Sequence, residues 1–218
     1  MKRILCFGDS NTWGYDPTDV DERGVNGRYP EHVRWTGVMG DLLGADYRVI
    51  EEGLNGRTTV FENPTLSGRN GDPALEVAAM SHAPLDCVIL MLGTNDANDM
   101  FNACAEVIGY GMERLLRTWN YTLSFTRSAQ AKIVIACPLK ITPMGSGEYI
   151  PGLTSRCTEV GERLRTIYRQ LAERYGCAFI DVNDYVTPSP VDGIHLSAES
   201  HRILGETMAD FVRKLLEE

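Results

Sequence analysis

The chain has no C-x-x-C pair, no cluster of cysteine with histidine, and only four histidines in 218 residues. Zinc and thiol-redox motifs are therefore not expected. The six cysteines (Cys6, Cys87, Cys104, Cys137, Cys157 and Cys177) read as buried free thiols that behave as small hydrophobes. Positive charge is also short. Lys and Arg number 21 against 30 Asp and Glu, a net charge of -9 that repels nucleic-acid phosphates and anionic membranes. No apolar run approaches the roughly 20 residues that span a bilayer. Met1-Lys2-Arg3 has the charge of a signal peptide, but the apolar stretch behind it is short and broken by Gly8 and Asp9. The expected location is cytoplasmic.

Linkers, internal repeats and low-complexity tracts are absent as well, so residues 1–218 are expected to form one domain with a full core. Three well-known motifs fail in detail. The G-x-S-x-G elbow of α/β-hydrolases would need a glycine where Thr12 stands. "LNGRT" lacks the lysine of a phosphate-binding loop, and "GYGMER" (109–114) lacks the third glycine of a dinucleotide loop.

What remains is a regular alternation. Five short apolar runs, at 3–7, 47–52, 86–92, 132–137 and 177–182, are rich in β-branched residues, as expected of strands covered on both faces. Helical patterns fall between and after them, over 33–43, 74–82, 103–128, 154–175 and 198–216. Such alternation predicts an α/β fold with a parallel sheet wound on both sides. The stretch 16–30, rich in Gly, Pro and Asp, reads as one long loop near the end of the first strand.

In such sheets ligands bind beyond the carboxyl ends of the strands, where strand order reverses. The first strand leads into "GDSNT" (8–12), the second into "GLNGRT" (53–58) and the third into "GTNDAND" (93–99). Each alone is ordinary turn composition. His195 changes their weight. It stands three residues after Asp192, with Gly193 between them to allow a tight turn. The carboxylate can then hold Nδ1–H and leave Nε2 to act as a base. A serine hydroxyl needs such a base, and its oxyanion needs donors set in advance. Ser10 is the candidate nucleophile; the Ser10 N–H, the Gly56 N–H and the Asn95 amide are the candidate donors. Asp9 and Asp96 are assigned to holding the loops through backbone N–H groups. The scheme requires the two ends of the chain to meet, with the first strand, taken as central, delivering Ser10.

The four blocks "GDSN", "LNGR", "GTND" and "DGIH", in that order, resemble the SGNH (GDSL-like) hydrolase family. That resemblance implies a three-layer α/β/α flavodoxin-like fold with a five-stranded parallel sheet, and a triad of Ser10, Asp192 and His195. "RILCFGDSNTWG" and the stretch from "VRWTGVMG" to "GLNGRTT" are similar to the arylesterase/acyltransferase branch, which includes perhydrolase-type enzymes. By that analogy the substrate is a small acetyl or aryl ester, with no cofactor and no metal. Trp13, Tyr15 and Ile194 would shape the acyl pocket. Some members form oligomers, so a homo-oligomer is part of the expectation. Asn11 stands where the family name has leucine, implying a more polar pocket wall. Residues 60–75 and 138–153 match less clearly, and substrate-selecting loops would lie there. Two readings from other classes stay open at this point: a metal-dependent phosphoesterase using Asp, Asn and His at the strand ends, and a non-catalytic flavodoxin-like binding module.

Overall fold

The computed structural model describes residues 1–217. Five parallel strands form its main sheet: β1 (Lys2–Gly8), β4 (Tyr47–Gly53), β5 (Cys87–Met91), β6 (Lys132–Cys137) and β7 (Ala178–Asp181). They lie in the order β4-β1-β5-β6-β7. The chain runs from β1 outward to β4, then crosses back to β5 on the other side of β1. Strand order therefore reverses between β1 and β5, the flavodoxin-like arrangement whose crevice takes ligands. The middle strand is β5, not β1 as expected, so Ser10 and Asn95 flank the reversal from neighbouring strands.

Alternation along the strands sends side chains to opposite faces. Leu5 and Phe7 of β1, with Val88 and Leu90 of β5, join one apolar cluster; Ile4, Cys6, Ile89 and Met91 join the other. The first cluster is covered by α3 (Gly71–His82), α4 (Ala105–Leu123) and α5 (Ser155–Tyr175). The second is covered by α2 (Trp35–Leu43) and α6 (Ala198–Glu217), giving three layers. Trp35 and Trp119, one on each side, are fully buried. Burying each large apolar side chain contributes about 1.5–3 kcal/mol, and more for a tryptophan. Four cysteines are buried as expected; Cys177 is half-buried and Cys104 is exposed just before α4.

Two local elements differ from the sequence reading. Residues 10–13 form a one-turn helix, α1 (Ser10–Trp13), capped by Asp9 Oδ1, which accepts the Asn11 N–H at 2.9 Å. The stretch read as a loop contains a small antiparallel pair, β2 (Tyr15–Val20) and β3 (Asn26–Arg28). Asp16 and Asp21 shape its bends by accepting N–H groups two residues ahead.

Candidate active site

Every block beyond a strand end converges on the carboxyl edge of β1. Ser10 opens α1 directly after β1 and is nearly buried. His195 reaches it from the other end of the sequence, with Nε2 2.9 Å from Ser10 Oγ. On the far side of the ring, Nδ1 lies 2.5 Å from Asp192 Oδ2. An ionised carboxylate only accepts, so Nδ1 carries the proton and Nε2 presents a lone pair to the serine hydroxyl. Burial pushes the Asp192 carboxyl up, but the His195 ring and the N–H groups of His195 and Ile194 outweigh it and hold it below the usual range. Asp192 Oδ1 accepts both N–H groups, at 3.0 and 2.9 Å. The turn that makes this possible needs Gly193, which has φ +72°. A Cβ there would sit 2.0 Å from the Thr142 carbonyl oxygen.

The candidate oxyanion donors come from three separate blocks. Gly56 lies in the turn after β4 with φ +78°. Asn95 follows β5 and donates one Nδ2 hydrogen to the Arg57 carbonyl at 3.0 Å, leaving the second for a ligand. The Ser10 and Gly56 N–H groups donate to no other backbone group among the described residues. Behind them sit the two aspartates assigned to loop holding. Asp96 accepts the Thr59 N–H at 2.9 Å and its hydroxyl. Burial pushes the carboxyls of Asp9 and Asp96 up to about 6.

The four expected pocket residues separate into different roles. Tyr15 lies flat on the His195 ring, centroids 4.0 Å apart. Ile194 is half-buried, packed on the cluster under α3, α4 and α5. Trp13 carries the Arg28 guanidinium 5.0 Å above its ring, and Arg28 Nε donates to its carbonyl. Asn11 departs from expectation. It is buried, and its amide is spent on the backbone around His195, not on a pocket wall. Oδ1 accepts the Leu196 N–H at 2.9 Å, and Nδ2 donates to the Ile194 carbonyl at 3.3 Å. Both less clearly matched loops reach the site: Leu66 and Arg69 pack near Gly56, and Thr142 N–H donates to the Gly193 carbonyl at 2.8 Å.

Sequence reasoning passed over several residues. Trp35 bonds both ends of the site, its Nε1 donating to the Asn11 carbonyl at 3.1 Å and its backbone N–H to His201 Nδ1 at 3.2 Å. Arg57 stands inside a block the sequence had singled out, yet as an arginine in a turn it carried no sign of its burial. Among the described residues no group of three His, Cys, Asp or Glu side chains is placed to hold a metal ion. No helix among them is long and apolar enough to cross a membrane.

Solved structures of other proteins are similar to this chain in sequence and in fold. The native aryl esterase of M. smegmatis has a solved structure 36% identical to this chain, covering 99% of it and 100% of that chain, with a TM-score of 0.89. A carbohydrate acetylesterase from Sinorhizobium meliloti is 35% identical over 99% of this chain and 100% of its own, with a TM-score of 0.87. A putative arylesterase from Agrobacterium tumefaciens is 38% identical, with 98% and 99% covered and a TM-score of 0.86. No curated protein sequence matches the chain. The family model described as the GDSL-like lipase/acylhydrolase family matches residues 6–203, a span from β1 into α6 that includes all four blocks. The chain belongs to that family and is a carboxylic ester hydrolase.

Proposed function

We propose that Ser10, His195 and Asp192 form the catalytic triad of a serine esterase acting on small acetyl or aryl esters through an acyl-enzyme. The observation that carries this reading is the unbroken relay from Ser10 Oγ through both nitrogens of His195 to Asp192. In the first half-reaction Ser10 Oγ attacks the ester carbonyl carbon while Nε2 takes its proton. Asp192 stabilises the imidazolium that results. The carbonyl oxygen gains negative charge and is met by the Ser10 N–H, the Gly56 N–H and the second Asn95 Nδ2 hydrogen. The imidazolium then protonates the leaving alcohol as the C–O bond breaks. In the second half the same nitrogen activates an acceptor that cleaves the acyl-serine. Water gives hydrolysis, an alcohol gives acyl transfer, and hydrogen peroxide gives a peracid.

Small acyl groups are favoured by the solved relatives, an aryl esterase and a carbohydrate acetylesterase. Tyr15 and Ile194, held against and beside His195, are assigned to the substrate side of the ring. We read residues 1–218 as one hydrolase domain, since groups from both ends of the chain build one site. Six free cysteines suit a reducing compartment, so a cytoplasmic location belongs to the same reading. The phosphoesterase alternative is not favoured, because both nitrogens of His195 are engaged by Asp192 and Ser10. A pure binding module would leave that relay without a task. The test is hydrolysis of 4-nitrophenyl esters of increasing acyl length. Acetate should be cleaved fastest, and Ser10→Ala should abolish turnover; an active Ser10→Ala enzyme would exclude the acyl-serine.

A further inference from the structure

Arg57 is a charged side chain buried at the site, 5% exposed, to which the mechanism above gives no role. Burying a cation costs several kcal/mol unless the surroundings replace its water. Here they do so in part, with two backbone carbonyls at Nη1 and a ring, while the buried Nε–H has no partner among the described residues. Arg57 Nη1 donates to the Gly8 carbonyl at 2.9 Å and to the Glu52 carbonyl, and the guanidinium lies 4.1 Å from the centre of the Phe7 ring. Gly8 ends β1 two residues before Ser10, and Glu52 lies near the end of β4. One planar group therefore fixes the separation of the two strand ends that carry Ser10 and the Gly56 turn.

The backbone of the same residue completes the arrangement. Its N–H donates to the Leu54 carbonyl at 3.0 Å, closing the turn around Gly56, and Leu54 N–H donates to the Gly8 carbonyl at 3.2 Å. Its carbonyl accepts Asn95 Nδ2 at 3.0 Å. Flipping the Asn95 amide would set its oxygen against that carbonyl, so the contact holds the amide in the one orientation that leaves a hydrogen available.

We propose that Arg57 is the positioning residue of the oxyanion hole, setting Ser10, Gly56 and Asn95 in register through its guanidinium and its carbonyl. This rests on the assignment of those three as the donors. Donors help the transition state only when placed beforehand, so loosening them should cost kcat and leave KM nearly unchanged.

The test compares wild type with Arg57→Lys and Arg57→Met, each also combined with Asn95→Ala. Lysine keeps a cation and its N–H donors but loses the planar group that lies over Phe7; methionine keeps the stem and removes the charge and both hydrogen bonds, and serves if lysine fails to fold. A fluorophosphonate taken to completion counts competent Ser10 sites, so misfolded protein drops out of the rate per site. The expected result is a loss of at least about tenfold in kcat per site and in phosphonylation rate, with KM within about threefold. In the Asn95→Ala background the same substitution should cost less than it does in wild type, because one of the three donors held in register is gone while Ser10 and Gly56 still need positioning. Unchanged kcat per site, a loss confined to KM, or losses that multiply fully with Asn95→Ala would each overturn the proposal. Wild type that fails to react with the probe overturns the catalytic reading and this inference with it. Wild type that reacts, with variants equal to it, overturns the inference alone.

Discussion

The Tyr15 ring lies against the His195 imidazole with centroids 4.0 Å apart and planes 25° apart. This stack covers the face of the ring that, in the proposed mechanism, accepts and returns a proton in each half-reaction. An aromatic face packed this closely limits rotation of the imidazole and keeps its nitrogens aimed at Ser10 and Asp192. Tyr15→Phe should keep kcat within about twofold, while Tyr15→Ala should lower it by about tenfold, the scale of a stacked pair. Steady-state kinetics on one aryl acetate separates the two; equal rates for both variants would show that the stack does no catalytic work.

Asp192→Asn tests the orientation of the same ring. Oδ1 would keep the Ile194 and His195 N–H groups, but an NH2 would replace the oxygen facing Nδ1. The ring would then carry its proton on Nε2 and could not accept one from Ser10. A loss of about three to four orders of magnitude in kcat is expected, with the fold unchanged by circular dichroism. Activity within tenfold of wild type would mean that the carboxylate does not set the tautomer.

Asn95→Ala should remove one oxyanion donor and cost about 3 kcal/mol of transition-state stabilisation, close to two orders of magnitude in kcat. KM should change far less. An unchanged kcat would take Asn95 out of the hole.

Asn11 makes a prediction about stability. Replacing it by leucine strands the buried Leu196 N–H and removes the donor to the half-buried Ile194 carbonyl. Each unpaired group costs about 1–3 kcal/mol, so a fall of at least about 2 kcal/mol in urea unfolding is expected. An unaltered unfolding midpoint would show that the backbone finds other partners.

His201 sets a pH dependence. Burial first, then the charges of Arg34 and His195, hold its pKa down to about 3, against an ordinary 6.5. The unfolded ring binds a proton near 6.5 while the folded ring does not, so its contribution is full above that value. It is lost as pH falls from about 6.5 toward 3, at up to about 1.4 kcal/mol per pH unit. Asp9 and Asp96, raised to about 6, act in the opposite sense, so the comparison must be with a single variant. His201→Asn keeps an acceptor for the Trp35 N–H and should flatten the acid side of the stability curve. Parallel curves for the two proteins from pH 7 to 4 would contradict this.

The sheet was legible because its strands are continuous apolar runs, and the site because each block follows a strand end. Helix α3 begins at Gly71, ahead of the expected 74; Pro73 lies in its first turn, where its missing N–H has no bond to lose. Helix α4 stops at Leu123 although its pattern continues to 128, because Ser124 bonds back to the Tyr121 carbonyl and the chain turns. The β2–β3 pair was hidden by composition: Asp, Gly and Pro mark bends, and the pairing has an irregular register with little apolar alternation. The tasks of Asn11 and Arg57 could not be read from sequence, since both depend on contacts between distant segments.

The central claim is that Ser10 is the hydroxyl activated by His195. Treating the intact protein with a fluorophosphonate and mapping the modified peptide measures it directly. Adduct confined to Ser10, and absent from His195→Ala over the same time, is the expected result. Adduct on another residue, or none in an enzyme that still cleaves esters, would contradict it.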